Sequence, residues 1–473
     1  MRVARPLYAL TASETLDLLK GNTVTVEQYA HSLLGRVKER DHIIKAWAYL
    51  DPESVLKQAK ALDQIPEDRR GPLHGIAVGI KDVMNTKDMP TQFGSVLYEG
   101  HQPGFDSSAV AILRAAGALI FGKTTTTEFT VPNSGPGTTN PHDPKRTPGG
   151  SSCGSAAAVA DFQVPISLGS QTGGSLIRPA SFTGLFAMKP THNAISTEGQ
   201  KAFSPSFDTL GFMTRSMDDL RLLATVFGLK DDKSPEDVAL ERLSVALVKS
   251  PMWHRAGPGT VAAMKNAVAI LEDSGVRVDE VSFPPEFGVE ETIREMQRVV
   301  MGSEARVSFL GDYRIGKTKL DSKICDLVEN SSGITHEQRI QALDGYANMR
   351  AIADGLAAKY SVIITPSAVD EAPLGLQDMG SAAFNTLWTG LHLPLINIPA
   401  FVGAHGMPIG ISLVAGRFHD QYLIRLGTAL SEPLMAVGGW QEALCSVREN
   451  QHVPEYAHDM TAQTSRVSVC SIL

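Results

Sequence analysis

Apolar residues in the first 65 positions recur at three- and four-residue spacing, which predicts amphipathic helices. Three such stretches read ASETLDLLKG, TVEQYAHSLLGRVKERD and DPESVLKQAKALDQI. Each has Thr, Ser or Asp near its start, where helix N-caps are favoured. We therefore expect residues 1–65 to form a helical segment that packs on the rest of the chain.

From Gly71 the pattern changes to short apolar runs, GIAVGIKDV, GALIFGKTTTTEF and GLFAMKPT, with the helix-like DSSAVAILRAAG between the first two. Similar runs follow in LSVALVKSP, SVIITPSA and MPIGISLVAG. Strands that alternate with helices predict a mostly parallel sheet covered by helices on both faces. Polar residues 231–242 interrupt this pattern, and we interpret them as a surface connection within one α/β domain of residues 66–440.

Residues 441–473 are predicted to form a C-terminal segment with a disordered tail. The last four residues, CSIL, formally fit a C-a-a-X prenylation box. However, the preceding MTAQTSRVSV offers one arginine rather than the polybasic stretch that usually supplies a second membrane signal. We therefore favour an unmodified tail.

The composition argues against several classes of protein but does not identify one. The 473 residues contain 43 Lys and Arg against 51 Asp and Glu, a formal net charge of −8, which disfavours a nucleic-acid binder. Four cysteines in so long a chain do not make a disulfide framework. No apolar run approaches the roughly 18 residues of a membrane span, and the start has no apolar signal-peptide core. These features predict a cytoplasmic protein that binds neither nucleic acid nor membrane.

The stretch PGGSSCGSAAAVADFQVPISLGSQTGGS, residues 148–175, is the candidate for chemistry, because twelve of its 28 residues are Gly or Ser. A phosphate loop is excluded, since Ser175 stands where that motif needs lysine. A nucleophile elbow at Gly150-Ser151-Ser152-Cys153-Gly154 is disfavoured, because the preceding TTNPHDPKRTP has three prolines and cannot form the strand that an elbow requires.

A serine–lysine hydrolase is the third alternative. Serine becomes a good nucleophile when a neighbouring base removes its proton, and a lysine can be that base because burial lowers its pKa. Lys81, Lys123 and Lys189 all end apolar runs. Sequence spacing alone leaves the three open.

The motifs GIAVGIKDVMNTKDMPTQFGS, TPGGSSCGSAAAVA and GSQTGGSLIRPASFTGLFAMKPT together resemble the amidase signature family. DSSAVAILRAAGALIFGKTTTTEF and FNTLWTGLHLPLINIPAF extend the resemblance over nearly the whole chain. The resemblance implies an α/β/α sandwich with a large mixed, mostly parallel central sheet. It also implies hydrolysis of amides without a cofactor or metal ion.

The same resemblance assigns roles to residues. It selects Lys81 as the base and leaves Lys123 and Lys189 structural. Ser175 attacks the amide carbonyl, and Ser151, on a cis peptide bond, relays protons between Ser175 and Lys81. Backbone N–H groups of Thr172, Gly173, Gly174 and Ser175 are expected to form the oxyanion hole, where side chains at positions 173 and 174 would block the carbonyl.

Departures from the family pattern qualify this assignment. Cys153 stands where glycine or serine is usual, and Gln171 where many members have aspartate; we interpret Cys153 as a packed side chain. Arg178 is expected at the pocket wall, either paired with a substrate carboxylate or held in a structural role. His142 and His192 flank the motif and are predicted to be structural.

The leading functional hypothesis is an amidase that acts on a small or medium soluble carboxylic amide, with a homodimer as the candidate assembly. The first alternative is the ammonia-producing subunit of a tRNA-dependent amidotransferase. That type carries an aspartate twelve residues before a proline that corresponds to Pro394, where this chain has Ala382. A hydrolase of carbamoyl compounds is the second alternative.

Overall fold

Helices and strands alternate along most of the chain in the computed structural model, which describes residues 5–131, 135–232 and 239–440. The α-helices and β-strands, in chain order, are α1 (Ala12–Lys20), α2 (Val26–Ile44), β1 (Trp47–Tyr49), α3 (Pro52–Asp63), β2 (Ala77–Lys81), α4 (Ser108–Ala115), β3 (Leu119–Thr124), α5 (Cys153–Ala160), β4 (Ile166–Gln171), α6 (Ile177–Thr183), β5 (Phe186–Lys189), β6 (Thr209–Thr214), α7 (Met217–Val226), β7 (Ser244–Lys249), α8 (Pro258–Asp273), β8 (Arg277–Ser282), α9 (Glu290–Ser308), α10 (Leu310–Gly316), α11 (Ser322–Glu329), α12 (His336–Ala357), β9 (Val362–Pro366), α13 (Ala383–Gly390), β10 (Leu395–Val402), β11 (Pro408–Val414) and α14 (Asp420–Val437).

The strands of the described residues form one 11-stranded sheet in the order β1-β3-β2-β4-β6-β5-β10-β11-β9-β7-β8. The predicted α/β architecture with a large mixed sheet is confirmed. Parallel pairing is confined to two groups, β3-β2-β4 and β9-β7-β8. The expected mostly parallel order therefore holds within those groups but not between them, where every neighbouring pair is antiparallel. A short β10–β11 connection is one cause, because two strands joined by a tight turn must run in opposite directions.

The three predicted N-terminal helices are present, and side-chain caps define their starts. Thr11 and Thr25 each form a capping box, with Glu14 and Gln28 respectively, and Asp51 caps the third helix. Their buried apolar residues belong to the same core as the central strands. The division into segments at residues 65 and 440 stays a prediction. Part of the polar 231–242 segment and all of 441–473, including CSIL, lie outside the described residues.

None of the helices in the described ranges combines the length and the apolar character that crossing a bilayer would require. The helix that carries the candidate motif is short and buried on all sides. Every residue of α5, CGSAAAVA, is buried, so its small side chains allow close packing in the interior.

Gly154 lies where this helix comes nearest to the sheet. A Cβ atom at this position would lie 2.2 Å from the carbonyl oxygen of Ala46 and 2.3 Å from the backbone nitrogen of Thr125. Both are backbone atoms next to the ends of β1 and β3, where the Thr125 N–H donates to the Ala46 carbonyl at 2.9 Å. No side-chain rearrangement can therefore relieve the clash.

Gly154→Ala is expected to destabilise the protein by about 3 kcal/mol or more, because the added methyl group must displace backbone. Gly35→Ala is the matched control, since a Cβ there has no neighbour within 4 Å and the residue lies on the exposed face of α2. That control should be neutral or stabilising by up to about 1 kcal/mol. Thermal unfolding midpoints measure both changes, and equal midpoints for the two variants would contradict the packing argument.

Candidate active site

The three candidate lysines have different partners in the structure. Lys81 ends β2 and is fully buried, with Nζ at 2.8 Å from the Ser151 hydroxyl and 2.9 Å from the Ser170 hydroxyl. Lys123 is equally buried but forms an ion pair with Asp82 at 3.2 Å. Lys189 donates to the carbonyl of its neighbour Pro190 at 2.8 Å. Of the three, only Lys81 reaches serine hydroxyls.

Burial lowers the pKa of Lys81 to about 7. Nearby charges act in both directions: Cys153 and Asp208 favour the protonated form, whereas Arg178 disfavours it. Within the described residues, Lys81 forms no ion pair that could hold it protonated. A substantial fraction of Lys81 is therefore the neutral amine near neutral pH.

The second and third residues of the SSC sequence are engaged elsewhere. The Ser152 hydroxyl bridges the backbone of Ser170, accepting from its N–H at 3.3 Å and donating to its carbonyl at 3.2 Å. The Cys153 thiol is buried and contacts the carbonyls of Thr125 and Ser151, and burial raises the pKa of this thiol. Neither side chain is therefore presented as a nucleophile.

Ser151 and Ser175 are brought together by the backbone. The Gly150–Ser151 peptide bond is cis, and Ser151 is fully buried beside Lys81. The Ser152 N–H donates to the Ser175 carbonyl at 3.3 Å, which joins the two serine segments. Ser175 also lines a cavity of about 1,020 Å³, together with Thr172, Gly173 and Gly174. The predicted site residues thus cluster: Ser175 lines the cavity, and the buried Lys81 and Ser151 lie next to the segment that carries it.

Gln171 holds the loop that carries Ser175. Its side-chain oxygen accepts from the backbone N–H groups of Leu176 and Ile177, both at 3.0 Å. Its amide nitrogen donates to the Thr389 hydroxyl at 3.0 Å, and that hydroxyl lies 2.7 Å from the Gly173 carbonyl. The sequence marked Gln171 only as a departure from the family pattern, and Thr389 gave no signal. A carboxylate at position 171 could not donate to Thr389 as the glutamine amide does.

Asp208 supports the same loop from the other side and was not predicted from the sequence. Its carboxylate accepts from the Thr172 hydroxyl at 2.6 Å and from the backbone N–H groups of Phe203 and Ser204. Burial raises the pKa of Asp208 to about 6. Three hydrogen-bond donors therefore hold the carboxylate, and Thr172 is oriented by it.

Arg178 lines the cavity, but its guanidinium is engaged with backbone. It is buried and donates to the carbonyl of Gly380 at 2.6 Å and to the carbonyl of Gly150. Burial lowers the pKa of Arg178 to about 10, and Asp378 partly opposes that shift. These contacts link the Gly150 segment to the loop that contains Gly380, which favours a structural role for Arg178. Pairing with a substrate carboxylate stays a prediction.

The wall opposite Ser175 is close to the glycine pair. A Cβ atom at Gly174 would lie 2.9 Å from the Cβ of Ala382, and one at Gly173 would lie 3.4 Å from the Gln297 amide nitrogen and 3.5 Å from Thr386. Larger side chains at 173 and 174 would therefore fill the approach to Ser175. Farther out, the wall carries charged residues of both signs, including Arg294, Glu295, Arg298 and Asp326.

The two flanking histidines are held by backbone carbonyls away from this cavity. His142 contacts the Thr183 carbonyl at 2.8 Å, and its ring lies edge-on to Trp440. His192 contacts the Pro205 carbonyl at 3.0 Å. Neither residue lines the cavity that contains Ser175.

Comparison with known proteins gives matches over most of the chain. A chloroplastic/mitochondrial glutamyl-tRNA(Gln) amidotransferase subunit of Oryza sativa subsp. indica is 29% identical over 483 aligned residues, covering 88% of this chain and 88% of that protein. The corresponding glutamyl-tRNA(Gln) amidotransferase subunit of Salinispora arenicola (strain CNS-205) is 37% identical over 303 residues, covering 59% of this chain and 62% of that protein.

A solved crystal structure of an amidase superposes on this chain with a TM-score of 0.79 and 28% sequence identity, covering 92% of this chain and 99% of that one. A family model described as Amidase matches residues 28–424. Since that match spans far more than half of the 473 residues and the fold agrees with it, the chain belongs to the amidase family that its motifs resemble, whose members act on carbon–nitrogen bonds.

Proposed function

We propose that this protein cleaves the carbon–nitrogen bond of a carboxylic amide through a covalent acyl-enzyme at Ser175. The observation that carries the proposal is the buried Lys81, whose Nζ lies 2.8 Å from the Ser151 hydroxyl next to the Ser175 segment. A base that is partly neutral near pH 7 and in contact with a hydroxyl is what activation of a serine requires.

The two hydroxyls around Lys81 suit a neutral amine. A neutral amine has two N–H donors and one lone pair, so it can donate to Ser170 while it accepts a proton from Ser151. Ser151 in turn takes the proton of Ser175 as the Ser175 oxygen bonds to the amide carbon. Backbone N–H groups of residues 172–175 stabilise the negative oxygen that forms.

The attack of Ser175 on the amide carbon gives a tetrahedral intermediate. When this intermediate collapses, its carbon–nitrogen bond breaks. The proton held by Lys81 returns through Ser151 to the leaving nitrogen, so ammonia or an amine departs neutral. Water then attacks the acyl-enzyme by the same proton route, releasing the acid and regenerating Ser175. No step in this scheme calls on a metal ion or cofactor.

Two candidate functions share this chemistry and differ in substrate. The curated relatives favour the ammonia-producing subunit of a tRNA-dependent amidotransferase, which would release ammonia from glutamine. The wall beside Gly174 favours a stand-alone amidase, because Ala382 lies there, at the position for which the family resemblance implies an aspartate in the amidotransferase subunits. A methyl group there supplies no counter-charge for the ammonium of glutamine. We therefore propose an uncharged primary amide as the substrate, with glutamine as the second candidate.

Ser175→Ala should abolish amide hydrolysis, by about a thousandfold or more, because no acyl-enzyme can form. A fluorophosphonate probe should add one phosphonyl group to the wild-type protein at Ser175, as measured by intact mass and peptide mapping. Ser152→Ala is the matched control, since the Ser152 hydroxyl is already hydrogen-bonded to the Ser170 backbone. This variant should still be labelled at Ser175. Labelling of Ser152 in the wild type would contradict the assignment.

The amide-hydrolysis rate should fall as the pH drops through about 7, because protonation removes the lone pair of Lys81. Lys81→Met, which keeps the side-chain volume, should lower the acylation rate about 10²- to 10⁴-fold. Lys189→Met is the control, because burial also lowers the pKa of Lys189 to about 7 although it contacts no serine. A pH profile that stays flat down to roughly pH 5 would sink the lysine-base mechanism.

Ammonia release from a panel of primary amides should show higher kcat/KM for uncharged amides than for glutamine. Ala382→Asp should raise the kcat/KM for glutamine relative to Ala382→Asn, because only the carboxylate attracts the ammonium group of glutamine. A wild-type preference for glutamine would favour the amidotransferase candidate instead. Equal kcat/KM for glutamine in the two variants, with Ser175 still labelled, would mean that position 382 does not contact the substrate as proposed.

A further inference from the structure

A second cavity, of about 470 Å³, shares no lining residue with the cavity at Ser175. His192, His392 and Arg350 line it together with the apolar side chains of Leu343 and Phe418. No acidic side chain among the described residues lines this cavity. Its walls therefore combine one cation, two imidazoles, the polar residues Asn193 and Ser206, and an apolar surface.

The two imidazoles are fixed by the backbone. Their rings stack with centroids 4.0 Å apart and planes 18° from parallel. The Nε2 of His192 lies 3.0 Å from the Pro205 carbonyl, and that of His392 lies 2.8 Å from the Ser206 carbonyl. Carbonyl oxygens only accept, so each Nε2 carries the hydrogen. In a neutral ring, Nδ1 is then a hydrogen-bond acceptor, and neither Nδ1 has a partner among the described residues.

The charged surroundings keep these rings neutral. Burial, together with the charges of His192, Arg350 and Lys189, lowers the pKa of His392 to about 2, and the hydrogen bond to the Ser206 carbonyl partly opposes that shift. Burial likewise lowers the pKa of His192; Lys189 and Arg350 add to that shift, while the Pro205 carbonyl and Glu304 oppose it. At neutral pH the cavity therefore offers two acceptor nitrogens beside a cation.

Arg350, on α12, has guanidinium N–H donors that could bind a ligand. Its Nε donates to the Gly390 carbonyl at 3.0 Å, and it forms no ion pair in the part of the chain that the structure describes. The other arginine that acts on it, Arg417, pairs with Asp354 at 2.9 Å between Nε and Oδ2. A guanidinium has five N–H donors in a planar fork that matches two oxygens of a phosphate or carboxylate.

We propose that this cavity binds a phosphate group that carries an O–H. The guanidinium of Arg350 binds the anionic oxygens, and a P–O–H donates to one of the two imidazole Nδ1 atoms. Sulfate at neutral pH has no O–H, so the neutral imidazoles discriminate against it. Phe418, whose side chain is 59% exposed, and Leu343 leave room for a small organic group, so the ligand is inorganic phosphate or a small phosphate monoester.

The test is calorimetric titration of the full-length protein at pH 6.5, where inorganic phosphate carries at least one O–H and a monoester is partly protonated. Phosphate, phenyl phosphate and sulfate are compared at matched ionic strength. We expect saturable binding of phosphate at least about tenfold tighter than of sulfate. Tighter binding of phenyl phosphate identifies an organic phosphate as the ligand, and equal binding identifies the free ion. Phosphate binding no stronger than sulfate binding would overturn the proposal.

Arg350→Met should weaken phosphate binding at least about tenfold, because it removes the charge-assisted hydrogen bonds. Lys359→Met is the matched control, since it removes one positive charge from an exposed residue beyond the end of α12 and outside the cavity. His192→Phe keeps a stacked ring but removes one acceptor nitrogen, so it should lower the ratio of phosphate affinity to sulfate affinity. This variant also tests the proposal if Arg350→Met fails to fold. Unchanged binding in both cavity variants would overturn the proposal, and because the readout is binding, the result is independent of amide hydrolysis.

Discussion

The candidate site depends on the removal of Lys81 from water. Lys123, at the end of the neighbouring strand β3, is equally buried, yet it has Asp82 as counter-charge and its pKa falls only to about 8. Lys81 contacts hydroxyls instead, so its charged form is less stabilised and its pKa falls to about 7. The difference between a structural lysine and a candidate base is thus set by the partner that the fold supplies, since burial is the same.

The loop that would hold the oxyanion is hydrogen-bonded by buried polar side chains, two of which are distant from it in sequence. Gln171 bonds the N–H groups that follow Ser175, Thr389 bonds the Gly173 carbonyl from α13, and Asp208 bonds the Thr172 hydroxyl. Each of these groups is itself buried and hydrogen-bonded. A loop rich in glycine can therefore present fixed backbone N–H groups, which pre-organised stabilisation of a charge requires.

The choice between amidase and amidotransferase depends on the cavity wall beside Gly174 rather than on the catalytic groups. Both kinds of protein would use the same serines and lysine, so similarity in that region cannot separate them. Ala382 lies next to Gly174 and lines the same cavity as Ser175. The neutral side chain there supplies no counter-charge to a cationic substituent, which supports the proposed uncharged substrate. The relatives, which are glutamyl-tRNA(Gln) amidotransferase subunits, favour the second candidate.

The sequence by itself determined the class of fold and the N-terminal helices, because hydrophobic periodicity and capping residues are local signals. The amide-cleaving chemistry followed from the resemblance of the glycine–serine motifs to a known family. The sequence left Lys81, Lys123 and Lys189 equivalent on pattern alone, and only resemblance to a family chose among them. Tertiary structure decided what each of these lysines contacts, as well as the antiparallel pairing in the middle of the sheet. It also revealed Asp208 and Thr389 as supports and the Arg350 cavity. These features depend on contacts between segments far apart in the chain, which no short stretch of sequence encodes.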